Sequence, residues 1–84
     1  MEIHIGKVTH YYDRIGVAVL ALTGELKLGD TIAFRGHRTE LVQQVSSVEV
    51  DHQKVQSAGP GAEVAVKVDD RVREGDSVFK VVQG

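Results

Sequence analysis

The chain lacks cysteine and tryptophan, has a single proline, and contains no long apolar run in its 84 residues. Without cysteine there can be no disulfide, no thiolate metal site and no cysteine nucleophile. No stretch approaches the about 20 apolar residues of a membrane-spanning helix. Met1-Glu-Ile-His4 alternates and does not open a charged-then-apolar leader. The expectation is a soluble, cytoplasmic protein. An excess of positive charge is also missing: ten basic residues stand against twelve acidic ones, for a net charge of −2. Modules that live on phosphate contacts are usually basic. Strong non-specific nucleic-acid binding is therefore disfavoured, and only a local basic patch stays open. The length predicts one domain, residues 1–84. A chain this short buries about 60–65% of its unfolded surface, so a partner or second copy would add useful burial.

What is present is valine and glycine. The stretch Thr23-Gly-Glu-Leu-Lys-Leu-Gly-Asp-Thr-Ile-Ala-Phe-Arg-Gly36 organises the chain, and Val72-Arg-Glu-Gly-Asp-Ser-Val-Phe79 echoes it. Each Gly-Asp pair, Gly29-Asp30 and Gly75-Asp76, reads as a corner opening a β-branched strand. Glycine tolerates φ > 0 there, and the aspartate can accept a bond from a nearby backbone N–H. Gly24 and the loop Gly59-Pro-Gly61 are further turn signals. Between them the alternation predicts strands over 3–11, 15–22, 31–35, 41–50, 62–68 and 77–82. Gly6 interrupts the first and marks a bulge or a close backbone approach. In the fourth, the apolar spacing slips near Gln43-Gln44, which predicts a bend. No helix competes convincingly, so the expected class is all-β: a small, closed, six-stranded antiparallel β-barrel.

Candidate chemistry is thin. His4, His10, His37 and His52 show no metal-ligand spacing, so no metal is assigned. Asp69-Asp70 has no nucleophile–base set around it, so no catalytic residue is assigned and no enzyme is expected. The basic turn Arg35-Gly-His37-Arg38 could meet an RNA backbone or another anion, or be a solvated hairpin balanced by Glu40. Tyr11, Tyr12 and Arg14 form the only aromatic pair beside a cation, suited to stacking on bases or to closing the end of a barrel. The second strand is apolar on both faces. Leu20 and Leu22 would form an interface for a partner or second copy if their face met water, and core if it were covered.

In order and spacing, Ile5-Gly-Lys-Val8, the 23–32 stretch, Val45-Ser-Ser-Val48, Ala58-Gly-Pro-Gly-Ala-Glu-Val-Ala-Val66 and Arg73-Glu-Gly-Asp-Ser-Val78 resemble the second domain of the elongation factor Tu family. They are similar in particular to small stand-alone proteins described as translation elongation factor-like. The same barrel is similar to the C-terminal module of certain collagenase-like peptidases. The resemblance implies a translation-protein type barrel that binds RNA or a translation-related protein. The phosphate loop of the full factors is absent, so no nucleotide or other cofactor is implied. The alternative is an accessory domain for protein interaction or homodimerisation, acting beside a peptidase. No membrane partner is expected.

Overall fold

The structure is a computed structural model that describes residues 1–83. The class is all-β: ten strands and no helix among the described residues, hence none long and apolar enough to cross a membrane. They are β1 (Glu2–Tyr12), β2 (Val17–Leu22), β3 (Leu26–Lys27), β4 (Thr31–Arg35) and β5 (Glu40–Gln44), followed by β6 (Val48–Val50), β7 (Gln53–Lys54), β8 (Ser57–Ala58), β9 (Glu63–Lys67) and β10 (Ser77–Val81). Eight form one sheet in the order β5-β4-β10-β1-β2-β9-β6-β7, and β3 and β8 pair separately. Every pairing is antiparallel.

β1 is long enough to serve two neighbours because it bends. Its first part pairs with β10 and its second with β2, with register shifts at His4/Gly6 and Val8/His10. The first shift lies at the predicted bulge. A Cβ on Gly6 would run into the carbonyl oxygen of Ala21, so two backbones approach here because glycine has no side chain. The second strand starts at Val17 rather than residue 15. Gly16 takes φ 63° and closes the β1–β2 turn, which leaves Ile15 63% exposed. The predicted strand 41–50 is two strands, β5 and β6, broken at 45–47, and the chain exchanges β4 for β9 as its neighbour there.

The expected closed barrel of six strands is corrected by the pairing. Among the described residues β5 and β7 end the sheet, and no ladder joins them. β9 pairs with β6 only at Ala65 and Val66. Beyond that, the side chain of Gln43 on β5 fills the gap. It is 5% exposed. Its Nε2 donates to the Lys67 carbonyl (2.9 Å) and the Gln44 carbonyl (3.2 Å), and its Oε1 accepts the Asp69 N–H (2.7 Å). One amide side chain thus does locally what a row of ladder bonds would do, satisfying backbone groups that a sheet edge leaves open.

Both Gly-Asp corners form as the sequence suggests, and they are alike. Gly29 and Gly75 have φ 87° and 91°. Asp30 Oδ2 accepts the Lys27 N–H (2.9 Å), and Asp76 Oδ2 accepts the Arg73 N–H (2.8 Å). Each corner docks on a valine by two backbone bonds. Gly29 N–H donates to Val45 O and Val45 N–H to Asp30 O; Gly75 N–H donates to Val8 O and Val8 N–H to Asp76 O, all at 2.8–2.9 Å. Leu26 and Val72, at matching places before the corners, are fully buried. The strands that follow, β4 and β10, pair with Ile32 opposite Lys80 and Phe34 opposite Val78. Exchanging the strands leaves this register unchanged, so a local two-fold relates the halves. The core between them contains Ile5, Leu20, Leu26, Ile32, Phe34 and Val72, each at most 2% exposed. Burying such a side chain contributes about 1.5–3 kcal/mol, which is why these alternating runs form strands here.

Candidate functional site: an outward groove on β2 and β9

The basic turn does not present free cations throughout. The Arg35 guanidinium is held by two carboxylates. Nε donates to Glu2 Oε1 (3.0 Å), Nη2 to Glu2 Oε2 (2.6 Å) and Nη1 to Glu40 Oε1 (3.0 Å). The bidentate pair reaches across β10, which lies between β1 and β4 in the sheet. The hydrogen bond from Arg35 holds the Glu2 carboxyl below its usual value, and Glu2 in turn raises Arg35. Arg38 and His37 are exposed beside it, and the Arg38 carbonyl accepts Nη1 of Arg73 (3.0 Å). Tyr11 packs against the core, Tyr12 is 47% exposed and Arg14 is exposed. The structure therefore does not gather the Arg35 turn and the tyrosine pair into one surface built of free cations and rings.

Leu20 and Leu22 lie in the core, 0% and 3% exposed. The interface expected on them has no surface there. The outward face of β2 carries Val17, Val19 and Ala21, all half-buried. Ala18, Leu20 and Leu22 fill the interior instead.

That outward face is the floor of a groove. Two adjoining hollows of about 370 and 380 Å³ share Val19, Glu49, His52 and Ala65. At one end stand Glu63 and Asp51; at the other, Tyr12, Ile15, Val17 and Lys67. The register explains the order. Val17 faces Lys67, Val19 faces Ala65 and Ala21 faces Glu63 across β2 and β9. Glu63 and Lys67 therefore bound one face of β9, roughly 13 Å apart at the strand rise. Glu49, Asp51, Glu63 and Lys67 take part in no ion pair among the described residues. The β6–β7 turn adds Asp51 and His52 at φ 51° and 65°, a left-handed pair that ordinarily calls for Asn-Gly. Two clues lay in the sequence: opposite charges flanking Ala65 on one strand face, and Asp51-His52 at a two-residue hairpin. Among the described residues no group of three His, Asp or Glu side chains converges on a metal-sized centre.

No family model matches the chain. Two curated proteins do. It is 40% identical over 79 residues to an uncharacterized protease of Methanocaldococcus jannaschii, covering 93% of this chain and 19% of that protein. It is 32% identical over 81 residues to a collagenase of Porphyromonas gingivalis, covering 94% of this chain and 20% of that protein. The chain thus spans about a fifth of the length of the curated relatives it matches. Among solved structures it is similar to the C-terminal domain of a Geobacillus thermoleovorans protein described as a U32 peptidase, with a TM-score of 0.89, 19% identity, and coverage of 95% of this chain and 93% of that one. The selenomethionine variant of that domain gives a TM-score of 0.84 over 89% of this chain and 95% of that one. These matches correct the resemblance to the second domain of elongation factor Tu, and with it the translation-related expectation. The relatives and structural neighbours lie on the peptidase side. The misleading signal has a physical cause: a Gly-Asp corner is the local chemistry of a tight turn with φ > 0, and any fold that needs such turns can carry it.

Proposed function

We propose that this chain is a non-catalytic accessory domain that works with a collagenase-like peptidase body and helps it engage polypeptide. The observation that carries this reading is the share of each protein that aligns. Nearly the whole of this chain matches only about a fifth of a protease and of a collagenase. The rest of those proteins lies outside the aligned segment. The fold likeness to a C-terminal peptidase domain supports the same reading.

A domain exchange tests it. The segment of the Porphyromonas gingivalis collagenase that aligns with this chain is deleted, and then replaced by this chain. The deletion is expected to lower hydrolysis of gelatin, and the chimera to recover most of it through a lower KM, with kcat little changed. A deletion without effect, or a chimera that stays at the deletion's level while the native segment restores activity, would overturn the reading.

A further inference from the structure

The groove on β2 and β9 points to a specific occupant. We infer that it seats an extended polypeptide segment carrying a basic side chain and an apolar one three or four residues apart. This inference deepens the accessory-domain reading and rests on it. The floor is made of small side chains, Val17, Val19 and Ala65, which let another backbone come close. The walls give the floor a concave section, which suits a single extended strand better than the broad face of a folded partner. The roughly 13 Å between the charges that bound β9 matches about four residues of extended chain.

Charge sets the rest. At one end Glu63 and Asp51 offer two carboxylates, and Glu49 adds a third where the two hollows meet. At the other, Ile15 and Tyr12 are 63% and 47% exposed and surround Val17. A lysine or arginine belongs at the first end and a leucine-like side chain at the second, with Lys67 placed for a carboxylate or carbonyl beyond it. Arg35 makes the contrast clear. Its charge is already spent on Glu2 and Glu40, whereas the groove's charges have no partner within the described chain. His52 contributes to both hollows and sits where the segment would pass from one to the other.

The test is amide chemical-shift mapping on the full chain. The probes are blocked hexapeptides with Arg and Leu three residues apart in either order, a Glu-for-Arg version and a Ser-for-Leu version. One order of the Arg–Leu peptide is expected to shift Val17, Val19, His52 and Ala65. Replacing either Arg or Leu weakens binding by about tenfold or more, and binding falls as salt rises. Glu63→Lys, an exposed change that leaves the fold intact, weakens the Arg peptide and not the Glu peptide. Absence of shifts with both orders, shifts centred on the Arg35-to-Arg38 turn, or indifference to Glu63→Lys overturns the inference. So does sedimentation showing that a second copy of the chain covers the groove. An active chimera with no peptide binding sinks the groove alone; an inert chimera with peptide binding intact sinks the accessory reading alone.

Discussion

The two halves related by the local two-fold solve the same problem with different neighbours. Beside β10 lies β1, and beside β1 lies another strand, β2. Beside β4 lies β5, and beside β5 the sheet ends. Register makes Gly6 on β1 the counterpart of Gln43 on β5, since Gly6 faces Val78 and Gln43 faces Ile32. The half with a further strand has glycine at that place, so the Ala21 carbonyl can come close. The half without one has a long amide that reaches over the gap. Position in the fold, rather than strand propensity, decides which residue fits. The corners diverge in the same way. Asp30 faces Lys80 Nζ at 3.3 Å and is half-exposed. Asp76 is 5% exposed and lies so near Gly36 that a Cβ there would overlap its carboxylate.

The largest effect is expected from Gly6→Ala. The obstacle is backbone, which cannot swing aside as a flexible side chain would. Urea unfolding should show a loss of about 3 kcal/mol. A near-neutral result would mean that β1 and β2 are farther apart than this fold requires. Next comes Gln43→Leu, which keeps most of the volume but leaves the Lys67 carbonyl and the Asp69 N–H unpaired, for about 2 kcal/mol. Hydrogen exchange at Asp69 should quicken in the variant while β10 stays protected. If exchange is unchanged, water or another group seals that seam.

A finer comparison sets Asp76→Ala against Asp30→Ala. Both lose the same bond to a backbone N–H. The first also opens a buried site, so about 1–2 kcal/mol is expected against about 0.5–1 kcal/mol for the more exposed corner. Equal losses in urea titrations would show that burial at Asp76 adds no more than the Lys80 pair adds at Asp30.

Much of this frame is readable in the residues, and the reasons for the misses are physical. Strand 31–35 is met in full and 77–82 to within one residue, because each follows a Gly-Asp corner that fixes where the strand begins. Strand two is misplaced at its start because Gly16 belongs to the turn, and a glycine beside β-branched residues reads equally well as strand. Its faces are ambiguous because both are apolar; only packing sends Leu20 and Leu22 inward and Val17 and Val19 outward. Closure failed because alternation gives the faces of a strand but says nothing of its neighbours. The Arg35 turn reads as available because the acid beside it in sequence is Glu40, while Glu2, 33 residues upstream, supplies the bidentate partner. The groove residues come from β1, β2, β6 and β9 and the turns beside them, and no local pattern joins them.

The smallest expected effect concerns that Arg35–Glu2 pair, and it separates the spent charges from the unspent ones. Both side chains are partly open to water, where an ion pair adds little. The folded carboxyl of Glu2 titrates below its ordinary value of 4.5, chiefly through the hydrogen bond from Arg35. Its contribution is therefore complete above that value and is lost as the pH falls through the lowered one. Glu2→Gln should leave stability at pH 7 close to that of the parent, and the small gap between the two should close as the solution is acidified through that window. A gap that persisted or widened in acid would mean that Glu2 acts through packing over β10 rather than through its charge. If the loss of Glu2 left Arg35 able to bind phosphate at neutral pH, the contrast with the groove would sharpen. One surface holds Arg35 between two carboxylates, whereas the groove's charges take part in no ion pair among the described residues.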